Sequence, residues 1–248
     1  MVCHLAFGQT EAHVFKEKEL KMENVLATEL KVQLIKYNFS SLFTITDNSE
    51  VYGFIGDNYE QRIRVKIIKV TKQPSSSDTY DVYGKSMVKN NIDEFHGIMK
   101  ISNIRKRNIT EHGCENENTY KGFKGQYVIL GDYTFYENKH QTHTGVFNGS
   151  FRSFFFINKN DHIKYDDIEF CSDSYNNNQF VGQWAQYNGN ITKRCNWGDY
   201  RIPSSGHFDI GAGDFSPGGY KSSGWETLNA KYRNDKKGQA VEEAKWWK

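Results

Sequence analysis

A mainly β protein is predicted, an antiparallel meander closing into a barrel or a strongly curved sandwich, with short helical segments near both termini. Three observations predict it. Aromatic residues supply 15% of the 248 positions against a hydrophobic total of only 37%, so core volume must come from rings that favour pleated surfaces. Period-two alternation runs through the middle of the chain, clearest in Arg62-Ile63-Arg64-Val65-Lys66-Ile67, as a strand with one wet face requires. A third regularity places glycine between two large residues: Phe95-His-Gly97-Ile-Met99, Ile129-Leu-Gly131-Asp-Tyr133, Phe147-Asn-Gly149-Ser-Phe151 and Phe180-Val-Gly182-Gln-Trp184. Side chains two apart share a face, so each glycine opens a gap between bulky neighbours, which lets a strand bend and an aromatic of the next strand lie across it.

Taken in order, the chain begins Met1-Val-Cys-His-Leu-Ala6-Phe7-Gly8-Gln9. Ala6-Phe7-Gly8 has the small-x-small form of a signal-peptidase site, so residues 1–8 are expected to be the tail of a secretory signal. Residues 9–48 form a partly helical segment. Leu20, Val25, Leu26, Leu30 and Leu34 fall on one helical face between Phe15 and Leu34, with strand as the competing reading from Glu29 onward. The barrel-like domain spans 49–224. The phase of its clearest strand slips at Ile67-Ile68, as at a β-bulge, and Gln73-Pro-Ser-Ser-Ser-Asp78 supplies the turn to a returning strand from Tyr80. Further strands are expected at about 95–103, 126–136, 144–157, 163–170 and 179–187, with 137–143 and 158–161 as exposed hairpin tips; loops this short favour antiparallel neighbours. The tail 225–248 reads as polar and helix-compatible, with Trp246-Trp247 anchoring it on the barrel.

Charge and cysteines narrow the function classes. Lys and Arg total 32 against 30 acidic residues and are interspersed, which argues against a nucleic-acid face. No apolar run reaches membrane-spanning length. Cysteines at 3, 114, 171 and 195 lack metal-site spacing; Cys171 with Cys195 is the first pairing expected in an oxidising compartment, which permits the bond without requiring it, and free buried thiols are the alternative. No cofactor is called for.

Phe180-Val-Gly182-Gln-Trp184 resembles the Gly-x-Trp that opens the first barrel strand of lipocalins and other calycins, implying a calycin-like barrel. Over its length the chain also resembles uncharacterised secreted β-rich proteins of Bacteroidetes bacteria, whose leaders often end like Phe7-Gly8-Gln9. That resemblance implies an envelope location.

The densest stretch, Cys195 to Pro217, holds four glycines and two of the chain's three prolines, and the question is whether it is a site or a way of turning corners. In a strand through 197–201, Trp197, Asp199 and Arg201 share one face, so an indole, a carboxylate and a guanidinium would sit together. With Trp184 these are the expected ligand contacts. The favoured use of Arg201 is structural, tying down the glycine-rich loop through carbonyls or Asp199. Asp209-Ile-Gly-Ala-Gly-Asp214 lacks EF-hand ligand spacing and reads as a turn; His140 and His143 sit in a loop without a carboxylate close by. The function expected is a secreted or envelope-associated, non-catalytic binding module for a small polar or amphipathic ligand. Its alternatives are a glycan-acting hydrolase using two of Asp166, Asp167, Asp199, Asp209 and Asp214, or a protein-interaction module with a filled core.

Overall fold

The computed structural model describes residues 10–58, 61–109, 120–209, 215–217, 222–230 and 233–248. Among these residues, ten strands are arranged in one antiparallel sheet. They are β1 (Val25–Glu29), β2 (Val51–Ile55), β3 (Gln61–Lys72), β4 (Thr79–Val88), β5 (Asn91–Arg107), β6 (Gly125–Glu137), β7 (Gly145–Ile157), β8 (Ile163–Tyr165), β9 (Asn177–Gln186) and β10 (Thr192–Asp199). Eight of them, all but β1 and β8, form a ring in chain order: each pairs with the next, and β10 returns to β2 with Cys195 opposite Ile55 and Asp199 opposite Val51. The predicted meander is the observed architecture. β2 and β3 meet through only Phe54↔Arg62 and Ile55↔Gln61, the shortest ladder in the ring.

The glycine pattern lies where curvature is needed. Gly97, Gly131, Gly149 and Gly182 are all mid-strand, in β5, β6, β7 and β9. Gly149 sits opposite Gly182, and a Cβ on either would stand 2.7–2.8 Å from the other's Cα, so the two strands approach more closely than side chains allow. At Gly131 the Phe151 ring of the neighbouring strand lies across the gap, its Cζ 2.6 Å from where a Cβ would be. The ring's curl thus follows from missing side chains. The bulge expected at Ile67-Ile68 is present as a register shift between Ile67 and Lys69.

Inside the ring, aromatics form successive layers. Phe95 stacks on Phe135 at 5.0 Å, and Phe180 on Trp197 at 4.9 Å with 9° between their planes. One end is closed by the N-terminal segment: Phe39, Leu42 and Phe43, on and beside a 3-10 turn (Ser40–Phe43), are buried in the same core, and Phe39 meets Phe155 at 5.2 Å. Among the described residues the ring's outer wall is covered in several places. Tyr52 and Phe54 of β2 pack with Ile202, Phe208, Phe215, Trp225 and Leu228, and Val25 packs on Val128, Leu130 and Phe154. Strands covered on both faces need no polar alternation, which is why Phe154-Phe-Phe-Ile157 is continuously apolar.

Several expectations change. The N-terminal helix α1 is Glu11–Leu20, capped by Thr10, whose Oγ1 accepts from His13 N at 3.3 Å. Val25–Glu29 is strand rather than helix, and a short helix α2 (Lys31–Leu34) follows it, the reverse of the expected order. The cause is tertiary: β5 is 17 residues long and outruns β4, leaving an edge at Arg105 and Arg107 that β1 pairs. Leu26, expected on the apolar face, is exposed. The strand expected at 163–170 stops at Tyr165. Cys171 is disulfide-bonded, but not to Cys195, which is free and wholly buried in the aromatic core. The C-terminal helix α3 (Lys236–Glu243) docks through Glu242, which receives Arg62 in two bonds of 2.7 and 2.8 Å and Arg64 at 2.9 Å. Trp246 Nε1 donates to Asn48 Oδ1 at 2.8 Å, and Lys66 lies 5.2 Å from the Trp247 ring, so the tail is anchored as its tryptophans suggested. No described helix is long and apolar enough to cross a membrane. The expected signal remnant and Asp214 lie outside the described residues.

Candidate ligand site at the open end of the ring

At the end of the ring opposite the Phe39 turn, β2, β4, β6 and β9 finish and β3, β5, β7 and β10 begin. A cavity of about 510 Å³ lies there, with at least one lining residue from each of the eight strands. Its apolar wall includes Ile55, Ile63, Phe147 and Trp184, all buried. Each of these points inward because it keeps phase with the core positions of its strand.

The polar groups are the unusual part. Glu137 ends the inward series Tyr133, Phe135, Glu137 on β6 and is 5% exposed. Its Oε1 accepts from Ser86 Oγ at 2.7 Å; its Oε2 accepts from Trp184 Nε1 at 2.8 Å and from the Gly145 backbone N–H at 2.9 Å. Burial pushes its pKa up; the three hydrogen bonds work against that, and repulsion from Asp93 adds to it. Asp93, two residues before Phe95 in the inward phase of β5, is 4% exposed. Burial raises its pKa too, with His143 pulling the other way. Its Oδ2 accepts from Asn91 Nδ2. At the rim stand Lys89, His143 and Lys193, all exposed.

The four residues expected as ligand contacts are not brought together. Trp184 lines the cavity and orients Glu137. Trp197 is 2% exposed in the middle of the core, stacked on Phe180 and edge-on to Tyr133 and Phe147. Asp199 lies at the closed end, where its Oδ2 accepts from Thr46 Oγ1, Tyr165 OH and Asn178 Nδ2 at 2.7–2.8 Å. Its pKa is pushed up to about 7 by burial, against those bonds. Arg201 shares no face with them, because β10 stops at Asp199 and Tyr200 turns the chain with φ +66°. It lies on the outer wall, donating Nε to Asp209 Oδ1 at 2.9 Å and reaching the Asp173 carbonyl at 3.1 Å. It does tie down the loop, through Asp209 instead of Asp199. The dense stretch turns corners and covers β2.

Among the aspartates considered for hydrolysis, Asp166 is held by Arg107 at 3.1 Å and by Gln126 at 2.9 Å. Asp209 is held by Arg201, and Asp199 lies inside the ring, so these three occupy three separate environments. Asp93 and Glu137 were missed. Their signal was available: each is a carboxylate in strict phase with buried aromatics, Asp93 with Phe95 and Glu137 with Phe135, where a wet strand face would put it out of phase.

No family model, curated protein or solved structure matches the chain. The Gly182-x-Trp184 motif sits on the seventh strand of the ring, counting from β2.

Proposed function

We propose that the protein is a non-catalytic binding module, exported to the cell envelope or beyond, that holds one small amphipathic ligand in the open end of its ring. The observation that carries this reading is the cavity itself: about 510 Å³, walled by Ile55, Ile63, Phe147 and Trp184, with the polar Ser86, Asp93 and Glu137 buried among them and the remaining polar side chains, Lys89, His143 and Lys193 included, nearer its mouth, an apolar floor with a few convergent polar groups as small-molecule sites have. The layers beneath are filled by Phe95, Phe135 and Trp197, so the ligand is confined to the last layer and must be small. Export is supported by the disulfide at Cys171, since such bonds persist in oxidising compartments.

Thermal-shift screening of small amphipathic compounds, followed by calorimetry, tests the site, because a ligand that binds only the native state raises its melting midpoint. Val88 lines the cavity. Val88→Trp should obstruct part of it and weaken binding of every hit at least tenfold while leaving the unfolding midpoint within a few degrees. Hits that bind Val88→Trp as well as wild type would remove the open end as the site. Cell fractionation tests export: recovery in the cytosol with Cys171 as a free thiol would end that part of the reading.

A further inference from the structure

The chemistry of the cavity narrows its ligand, granted that the open end is the binding site. Glu137 has both oxygens engaged, by Ser86, Trp184 and Gly145. Asp93 does not: its Oδ2 accepts from Asn91, while its Oδ1 is buried with no hydrogen-bond partner among the described residues. An unpartnered buried acceptor is costly, more so on a carboxylate, and native structures rarely keep one without a use. Two carboxylates share this space, so a neutral donor would satisfy the lone acceptor and leave their mutual repulsion in place. A cation answers both. The faces of Trp184 and Phe147 favour a cation beside them as well. The basic side chains of the same lining, Lys89, His143 and Lys193, are exposed, so water and salt screen their influence, whereas the carboxylates act in a drier medium.

We propose that the open end binds a protonated organic amine, its ammonium donating to Asp93 Oδ1 and its apolar body lying against Trp184, Phe147, Ile55 and Ile63. Asp93 would then be retained for binding at a cost to stability, as functional groups often are.

Calorimetry with three nearly isosteric probes tests this: 2-phenylethylamine, 2-phenylethanol and phenylacetate at pH 7.5. Wild type should bind the amine at least tenfold more tightly than the alcohol, and phenylacetate most weakly. Asp93→Asn should bring amine and alcohol within about twofold, and the unliganded variant should melt no lower than wild type, an outcome that a merely structural role for Asp93 would not give. If Asp93→Asn does not fold, the wild-type amine-to-alcohol ratio decides alone. Equal binding of amine and alcohol, a preference for phenylacetate, or a tenfold amine preference surviving in Asp93→Asn overturns the amine assignment. So does silence from all three probes when other compounds bind in a manner weakened by Val88→Trp; the cavity reading survives each of these. Only if no compound at all binds in that manner do both fall.

Discussion

The two ends of the ring carry the same ingredients, buried carboxylates among aromatic rings, and put them to opposite uses. At the closed end the chain crosses the opening: Phe39, Leu42 and Phe43 fill it, and Asp199 has three donors on one oxygen. At the open end the described chain leaves about 510 Å³, and Asp93 keeps an oxygen without a donor. A buried polar group supplied with partners by its own protein specifies a structure. One left short beside a cavity, as Asp93 Oδ1 is and Asn178 Oδ1 at the filled end is not, is a place for something else.

The contrast breaks first at Phe39. If the closed end is part of the folding core and the open end is not, Phe39→Ala should cost about 3–5 kcal/mol, the range for truncating a buried aromatic, and leave ligand affinity unchanged in the folded fraction. Phe39 is 0% exposed and packed on Phe155. Urea unfolding that shows a loss below about 1 kcal/mol would mean that the segment merely rests on the ring.

The next effect is a pH slope set by Asp199. Its ordinary value is 3.8 and its folded value is about 7, so from about pH 4 upward the unfolded chain gives up the proton while the native state keeps it. Stability therefore falls as pH rises through this window and levels off above 7. The loss is at most about 4 kcal/mol, since each tenfold difference in proton affinity between the folded and unfolded chain is worth about 1.4 kcal/mol. Lys66 faces the carboxylate and favours its charge; Tyr165 and Asn178 bond to it. Asp93, Glu137 and Asp166 are raised in the same way, whereas Asp78, at about 2, Glu29 and Glu242 are lowered and lend stability as pH rises from acid values. Melting midpoints between pH 5 and 7.5, compared between wild type and Asp199→Asn, separate the effect from those of the other carboxyl groups. Asp199→Asn should flatten most of the slope there, and an unchanged slope would place its source elsewhere.

What the sequence made legible was local. Turn chemistry at Gln73–Asp78, the phase slip at Ile67-Ile68 and glycines between large residues each describe a few neighbours, and each has its counterpart in β3 to β9. What it hid was set by distant partners. β2 shows no alternation because Tyr52 and Phe54 are covered by residues after 200, and β1 is a strand because β5 outruns β4. The site was displaced for a different reason. Density of aromatics and charges drew attention to Trp197, Asp199 and Arg201, but density does not distinguish a mid-strand ring from one at a strand's end. Phase combined with place in the strand does: Glu137 follows Phe135 by two residues at the end of β6, and Asp93 precedes Phe95 by two near the start of β5. A carboxylate in phase with the core and close to a turn marks an end of the ring, the open one at Asp93 and Glu137 and the closed one at Asp199, which follows Trp197 by two at the end of β10.

The smallest expected effect sits on the rim. Lys193 begins the inward-facing end of β10 and is exposed beside the cavity, so Lys193→Gln should change stability by no more than about 0.5 kcal/mol, as surface substitutions usually do. Its charge nevertheless opposes an approaching ammonium. At about 10 mM salt, where charges are felt over roughly 30 Å, removing it should tighten 2-phenylethylamine binding about twofold; at about 1 M salt, where that reach is about 3 Å, the gain should vanish. A gain for 2-phenylethanol as well would point to a steric change. Weaker amine binding would mean that Lys193 holds part of the ligand, and that the rim and the floor of the cavity read opposite charges.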